Sequence, residues 1–470
     1  MITLTFGEVA TAVSGRFDPA GTDATDLTTI SGNVETDSRE IVDGGIFVAK
    51  PGDVTDGHRF VDAAVHNGAA LAIVEHNVDV EVPQIVVHDA VEALAALAAE
   101  VVGRVKAMGN LTVVGITGSN GKTTTKNLLG AILSPDAETV MPRKSFNNTV
   151  GAPTTMLRVT ESTRYLISEM GASGPGHIAH LAALAKPDIG IELKVGMAHA
   201  GGFGGIEQTA AAKTELVAAL PSDGVAILNR DDPRVVAMAT KTSAHVVWFG
   251  EHKDADVRAD DIVVTASGTT FTVSTPDGDS IPVAFKVLGE HHVWNALAAL
   301  ACAREVGIPL ATAVRRLESV TRAERWRMEV MGGRDGITII NDAYNASPDS
   351  MAAALKTLAL VTPSEHRTVA VLGAMSELGE FAGDEHDRIG LMAVRLGIDQ
   401  LVVVGPEARR LHISAINEGS WAGESAFMPT AEEAYEYLAA ELRAGDTVLV
   451  KSSNSVGLRF LGDRLGELFS

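Results

Sequence analysis

The sequence predicts an α/β protein of three domains, the larger two built on mostly parallel sheets. Three observations predict it. The chain has 470 residues, which suggests roughly three domains at ~150 residues each. Short apolar strands alternate with apolar-periodic helices from about residue 111 onward, and that alternation signals a parallel sheet wrapped by helices. A glycine-rich turn, within Gly115 to Lys126, joins one such strand to one such helix.

The first expected domain, residues 1–107, is small and α/β. Strands are predicted at 45–49 and 70–74, and helices at 60–67 and 90–102. The stretch 105–110, with Gly109-Asn110, reads as a linker. The second domain, 108–324, has predicted strands at 111–116, 164–168, 187–193, 225–228 and 245–249. Its helices are predicted at 122–133, 177–185 and 207–219. A β-rich insert with 269–273 precedes the turn Pro276-Asp277-Gly278, and a helix follows at 294–306. The third domain, 325–470, places strands at 337–341, 368–373, 400–404 and 446–451 between helices near 348–360, 384–396 and 430–443. This reads as a second doubly wound, Rossmann-like unit. Two such lobes behind a smaller one suggest a substrate held in a cleft.

Composition narrows the class of function. Hydrophobic residues make up 46% and charged residues 21%, ordinary for a protein that buries real cores. No apolar stretch reaches the ~18 residues of a membrane span, and Met1 to Phe6 carries no basic region followed by an apolar segment. Cys302 is the single cysteine and sits in an Ala-rich stretch, so it forms no internal disulfide and reads as a buried structural residue. Together these features suggest a cytoplasmic protein with no membrane insertion. The net charge of −22 argues against nucleic acid as a partner, which favours basic surfaces. Anionic substrates would need local Lys, Arg and helix N-termini.

The chemistry starts at Gly118-Ser119-Asn120-Gly121-Lys122-Thr123-Thr124. Backbone N–H groups of such a turn cradle phosphate oxygens, and the following helix adds its positive dipole end. Lys122 would reach the terminal phosphates and the Thr123 hydroxyl would hold Mg²⁺. Ile116 stands where the strict eight-residue motif has its first glycine. Glu169 ends the strand Tyr165-Leu166-Ile167-Ser168. Ligands of open α/β sheets sit at such carboxyl ends, so Glu169 is placed to share that Mg²⁺. His199 follows another apolar strand and has glycines around it. Lys213 lies on a helical run, where position alone reveals nothing more.

These residues resemble the Mur ligase family, the ATP-dependent amide ligases of peptidoglycan precursor synthesis. The resemblance runs over nearly the whole chain. It rests on Thr117 to Thr125, Glu169, His199 with Lys213 at the family's spacing, and Asn295 within His291-His292-Val293-Trp294-Asn295. Further motifs point to the branch that joins D-alanyl-D-alanine to UDP-N-acetylmuramoyl-tripeptide. They are Thr36-Asp37-Ser38-Arg39, Thr55-Asp56-Gly57-His58, Phe146-Asn147-Asn148-Thr149, Ala343-Tyr344-Asn345-Ala346-Ser347-Pro348, and Leu372-Gly373-Ala374-Met375-Ser376-Glu377-Leu378-Gly379 followed by His386.

The resemblance implies a role for each matching residue. Gly118, Ser119, Asn120, Gly121, Lys122, Thr123 and Thr124 bind ATP phosphates. Thr123 and Glu169 hold one Mg²⁺, and His199 with a carbamylated Lys213 holds a second. Lys122, Glu169, His199 and Lys213 are the expected catalytic set. Asn295 contacts adenine, and Arg327 and Asp342 reach ATP from the hinge and last domain. Ser38 and Arg39 help hold the uridine nucleotide, Asn147, Asn148 and Thr149 the sugar-peptide, and Tyr344 and Asn345 complete the substrate set. The first domain would bind the UDP-substrate, the central P-loop domain ATP, and the last the dipeptide. A monomer acting on small molecules is expected.

The sequence also departs from the family. Lys194 stands in place of Asn, His292 of Asn, Asn341 of Asp, Ala374 of Asp, and Lys451-Ser452-Ser453-Asn454 of Lys-Gly-Ser-Arg. His386 reads equally as an acceptor-site residue or as a helix residue tying two loops together. The nearest rival activity adds a diamino acid to UDP-N-acetylmuramoyl-dipeptide, but that ligase's Asp-Asn-Pro-Arg motif is missing from the final domain. Asp231-Asp232-Pro233-Arg234 reads instead as a turn plus helix start. A folate-type polyglutamate ligase would have no use for the uridine-nucleotide pattern. A non-catalytic nucleotide-binding protein would have little reason to keep Glu169, His199, Lys213 and Asn295 together.

Overall fold

The computed structural model describes residues 1–52, 55–143, 145–197, 204–322, 324–419 and 424–470. Three main sheets carry the chain in order. The first has five strands in the order Arg16–Asp18, Gln84–Val86, Ala69–Val74, Gly45–Val48 and Val34–Glu35. All its pairings are parallel except that of Arg16–Asp18. The pair Leu4–Thr5 and Thr29–Ile30 forms a small separate sheet.

The second sheet has nine strands. Its parallel part runs His245–Gly250, Val225–Asn229, Ile189–Glu192, Thr112–Thr117, Tyr165–Glu169 and Thr139–Val140. The β-rich insert does not fold apart from it. Strand Val257–Thr265 pairs parallel with His245–Gly250, and Gly268–Ser274 and Ser280–Phe285 extend the sheet antiparallel. Of the carboxylates at 252–261, which read as a solvated loop, Asp260 and Asp261 therefore lie on a strand inside the sheet, while residues 252–256 stay outside it. Alternation explains it: Val257 and Ala259 are buried while Arg258 and Asp260 are partly exposed, the period of two of a half-buried strand.

The third sheet has six strands in the order Glu329–Gly332, Thr338–Asn341, Thr447–Lys451, Thr368–Leu372, Gln400–Val404 and Ser425–Met428. Only its first pairing is antiparallel. The central strands are almost wholly apolar, as expected where helices cover both faces.

The first half of the predicted linker at 105–110 is helix, and 108–110 form the turn that follows it. Helix Ala90–Ala107 runs into the stretch, capped at its start by the Asp89 side chain at Val91 and Glu92. Val105 is fully buried, so the i, i+3, i+4 apolar stripe of Leu94, Leu97, Ala98, Val101, Val102 and Val105 reaches into the stretch read as a linker, while Gly109 and Asn110 lie beyond the helix. That stripe joins one core cluster with Leu111, Val113, Ile178 and Leu216. The first lobe is thus packed onto the second through one continuous apolar core. The helix predicted at 294–306 begins earlier, at His291.

Candidate active site

The chain changes direction around strand Thr112–Thr117. Strand Tyr165–Glu169 pairs on one side of it, and the next strand, Ile189–Glu192, pairs on the other. Such a switch point opens a crevice at the carboxyl ends of the strands. Register aligns Glu169 with Ile116 and Glu192 with Thr117, so two carboxylates end level with the start of the glycine-rich turn.

The turn needs its glycines. Gly118 has φ 146° and Gly121 φ 89°, backbone regions that L side chains rarely adopt. A Cβ on Gly121 would lie 2.2 Å from Asn295 Oδ1, and one on Gly118 2.9 Å from Leu193 Cβ. Helix Lys122–Leu133 starts at once, with no side chain capping it. Its first N–H groups therefore face the crevice, the arrangement that suits an anion.

A cavity of about 560 Å³ lies over this turn. Its walls bring together most of the expected residues: Ser119 to Thr124 of the turn, Asn147, Asn148, Thr149, Glu169, Lys213, Asn295, Arg327, Asp342, Tyr344 and Asn345. Gly118 lies beneath, where its carbonyl accepts from Lys122 Nζ at 2.7 Å. Ser38 and Arg39 line neither this cavity nor the smaller one beside it. Arg39 is exposed and forms an ion pair with Asp37 at 2.7 Å on a short 3₁₀ turn. His199 lies outside the described residues.

Thr123 Oγ1 donates to Glu169 at 3.1 Å and 3.2 Å from its two oxygens, and Asn147 Nδ2 donates to Glu169 Oε1 at 2.9 Å. Arg327 Nη2 reaches Thr123 Oγ1 at 3.3 Å and its guanidinium stacks on Tyr344, 4.5 Å from the ring centroid. The Tyr344 hydroxyl in turn meets Ser145 Oγ at 2.5 Å. Trp326 and Met328, on either side of Arg327, both have positive φ, 60° and 50°. Such strain costs about 1–3 kcal/mol per residue and persists only where surrounding contacts enforce it.

The last lobe closes on the turn. Ser347 Oγ donates to Asn120 Oδ1 at 3.1 Å, and Met197 N–H donates to Asp349 Oδ2 at 3.1 Å. Asp342 pairs with Lys451 at 2.6 Å, both largely buried, and accepts from the Met328 N–H. Asn295, expected at adenine, holds Thr125 and His292 instead of standing alone, at 3.3 Å and 3.0 Å. Burial pushes His291 down to about 4 and His292 well below its ordinary value, so both imidazoles are neutral at pH 7. Lys194, a departure from the family, stacks its ammonium on Trp294, 5.3 Å from the ring centroid.

The structure adds Glu192, for which the sequence analysis proposed no role. It is fully buried, and neither carboxylate oxygen has a hydrogen-bond partner. Burial raises it to about 8, against the pull of Lys213 and Lys122. Lys213, 5% exposed, is pushed down to about 7 by burial and by Lys122, with Glu192 opposing. One signal was legible: a lone carboxylate inside the apolar run Ile189-Gly190-Ile191-Glu192-Leu193. His386 is settled differently. Its Nδ1 lies 2.6 Å from the Ala382 carbonyl and its Nε2 accepts from Met375 N–H at 3.1 Å, so it ties two segments of the last lobe together.

Three stretches match the Mur ligase family in chain order. Residues 32–112 match its catalytic domain, 116–303 its middle domain and 326–454 its glutamate ligase domain. The UDP-N-acetylmuramoyl-tripeptide–D-alanyl-D-alanine ligase of Mycobacterium tuberculosis is 42% identical, across 99% of this chain and 98% of the relative. This chain belongs to the Mur ligase family.

The ligase of the same description from Escherichia coli is 33% identical over 97% of each chain. Among solved structures, a MurF from Acinetobacter baumannii superposes with a TM-score of 0.87 at 31% identity, covering 99% of both chains. A MurF from Thermotoga maritima in complex with ADP gives 0.80 at 29%, over 93% of this Mur ligase and 97% of that one. A diaminopimelate ligase of the family is 20% identical with a TM-score of 0.54, a likeness of fold alone. The expected three-lobed α/β architecture stands, with Mur ligase domains in the order the motifs suggested.

The residues around Thr123 suit Mg²⁺. It favours hard oxygen donors and commonly binds through one or two carboxylates plus substrate phosphates. A hydroxyl and a carboxylate 3.1 Å apart beside a phosphate-type turn supply that set. Among the described residues, no cluster of three His, Cys, Asp or Glu side chains forms a closed metal cage, and no helix is long and apolar enough to cross a membrane.

Proposed function

We propose that this Mur ligase joins D-alanyl-D-alanine to the peptide carboxylate of UDP-N-acetylmuramoyl-tripeptide, with hydrolysis of ATP to ADP and phosphate. The observation that carries it is the convergence of the glycine-rich turn, Glu169, Arg327, Asp342 and Tyr344 on one cavity. The relatives named for this reaction, matched over nearly the full chain, support it. Residues 1–107 hold the UDP-substrate, with Ser38 and Arg39 at the uridine nucleotide; 108–324 bind ATP; and 325–470 bind the dipeptide. The enzyme is cytoplasmic and monomeric.

A carboxylate is a poor electrophile. The γ-phosphoryl of ATP is transferred to it: the bond from phosphorus to the bridging oxygen breaks, a new phosphorus–oxygen bond forms, and ADP leaves. The dipeptide's neutral amine then attacks the acyl carbon, the carbon–oxygen bond to phosphate breaks, phosphate departs, and the nitrogen loses a proton to water. Lys122 and the amides of Gly118 to Thr124 hold the phosphates and offset charge gathering on the transferred group. Thr123 and Glu169 would hold one Mg²⁺, and His199 with a carbamylated Lys213 would hold a second. Bound Mg²⁺ would neutralise phosphoryl charge as a Lewis acid. Asn295 orients adenine, and Arg327 and Asp342 contact ATP across the hinge. Asn147, Asn148 and Thr149 hold the sugar-peptide and Tyr344 and Asn345 complete the substrate set, since reacting atoms must be brought within about 3–3.5 Å.

The test is phosphate release with two substrate pairs, with mass spectrometry of the product. Turnover with UDP-N-acetylmuramoyl-tripeptide and D-alanyl-D-alanine is expected, and lysine and diaminopimelate tripeptides would name the third residue. Turnover only with UDP-dipeptide and a free diamino acid would reject the reading.

A further inference from the structure

Lys194 departs from the family and has no part in the ligation steps. It stands just past the end of strand Ile189–Glu192, which pairs directly with Thr112–Thr117. Glu169 ends the strand on the other side. The two residues therefore flank the phosphate turn from opposite sides. Glu169 stands with Thr123 on one, and Lys194 on the other.

The Lys194 backbone is fixed to the turn itself. Its carbonyl accepts from the Ser119 N–H at 2.7 Å, and its own nitrogen lies 3.3 Å from where a Cβ on Gly118 would stand. The side chain is half-buried and lines the larger cavity. Among the described residues its ammonium has no hydrogen-bond or ion-pair partner, and its contact is the Trp294 ring, 5.3 Å away at the centroid. That ring is held in turn, because Trp294 Nε1 donates to Glu251 Oε1 at 3.1 Å. Three other cations of the cavity are committed. Lys122 Nζ donates to the Gly118 carbonyl, Arg327 reaches Thr123 and stacks on Tyr344, and Lys451 pairs with Asp342.

An ammonium over an aromatic face is held more weakly than one bonded to a phosphate oxygen, where charge and hydrogen bond act together. A polyphosphate on the turn brings several negative charges into a protein of net charge −22, so a local cation with no oxygen partner is the group drawn to it. Anchored at the turn by its backbone, the side chain can leave the ring without a shift of the main chain. Asn, the usual family residue, is shorter and carries no charge. The two flanks decide which phosphate is met. Thr123 and Glu169, with Lys122 reaching forward, mark the terminal-phosphate side, and the opposite flank faces the inner phosphates.

Resting on the ATP half of the proposed ligase reading, we infer that Lys194 is a nucleotide-binding residue whose ammonium leaves the Trp294 ring and binds an inner phosphate, one present in ATP and ADP alike. Because this contact exists before, during and after phosphoryl transfer, it adds affinity and not rate.

Calorimetry of ADP binding to the full-length protein, with Mg²⁺ present, tests this without any acyl donor or amine. Lys194→Met keeps an apolar stem beside Trp294 and removes the charge. It should weaken ADP binding roughly 10-fold, the scale of one lost hydrogen bond between charged groups. The KM for ATP should rise by the same factor, with kcat within roughly 2-fold of the wild type. Lys194→Arg should bring the affinity back to within roughly 3-fold. Added KCl should weaken ADP binding less in Lys194→Met than in the wild type, because one charge pair is gone. A melting curve checks the fold, and Lys194→Gln gives the same comparison if the Met variant melts early. Packing on Trp294 alone would leave both the ADP affinity and its salt dependence where they were. Unchanged ADP affinity, parallel salt curves, or a fall in kcat with ADP affinity unmoved would each overturn the inference. Absence of ADP binding by the wild type would overturn it together with the ATP half of the reading; the choice of amine acceptor, tested by turnover, does not enter.

Discussion

The central and last lobes share a parallel-sheet plan, but buried charge is met differently in the body of the last lobe and around the phosphate turn. In the last lobe the ammonium of Lys451 meets Asp342 and the Asn345 carbonyl, and Arg367 meets Asp446. His386 uses both ring nitrogens. Around the phosphate turn, Glu192 has two unpartnered oxygens, and His292 Nε2 and Nε of the hinge residue Arg327 have no partner, whereas in the body of the last lobe Glu424 Oε2 is the one such atom among the described residues. Buried polar groups are normally satisfied, and the exceptions call for an explanation. The difference teaches where the protein is finished by its own chain and where it awaits a ligand.

The largest expected effect breaks the ligand side. Lys122→Ala should lower ligation by roughly 10³-fold or more, the scale of removing a preorganised charge from the transition state, with the melting temperature unchanged. Full turnover in that variant would remove Lys122 from the phosphate site. The finished side should respond in stability. Lys451→Met leaves the Asp342 carboxylate buried and unpaired, and should cost about 3–5 kcal/mol in denaturant unfolding. A loss below about 1 kcal/mol, the exposed-pair range, would mean water reaches Asp342.

A subtler contrast concerns pH. Glu192 is raised from 4.5 to about 8, so the folded state holds a proton that the unfolded state has lost. Its contribution to stability therefore falls as pH rises from 4.5 towards 8. Lys213, lowered from 10.5 to about 7, works the other way, adding stability as pH rises from about 7 to 10.5. Glu192→Gln should therefore flatten the decline between pH 4.5 and 7, where Lys213 does not compensate. Parallel stability profiles for the two proteins would show that Glu192 is solvated. The smallest effect is a cap. Ser347 closes the N-terminus of helix Pro348–Val361 and touches Asn120, so Ser347→Ala should cost about 1 kcal/mol, visible as a modest fall in melting temperature.

Much of this was readable from local pattern. The turn Gly118 to Thr124, the strand ending at Glu169 and the alternation of strands and helices are written in consecutive residues, because phosphate cradles and parallel strands depend on local backbone geometry and apolar period. The turn and helix start read at Asp231 to Arg234 appear as a cap by Asp232 with Pro233 in the first turn. The misreadings lie where packing overrides composition. Polar residues at 105–110 suggested a break, yet Val105 anchors a helix in the shared core; the carboxylates near 260 suggested a loop, yet the sheet extends through them.

The sequence by itself determined the kinds of groups and their order along the chain: an anion-binding turn, a carboxylate at a strand end, a lysine on a helix. Only the tertiary structure decided which of them meet. The pairing of Ile189–Glu192 beside Thr112–Thr117 buried Glu192 near Lys122 and Lys213, and the approach of the last lobe brought Tyr344 to Arg327 and Ser347 to Asn120. Those meetings join residues far apart in the chain, and the free energy that fixes them is apolar burial distributed over whole cores, which no short motif encodes.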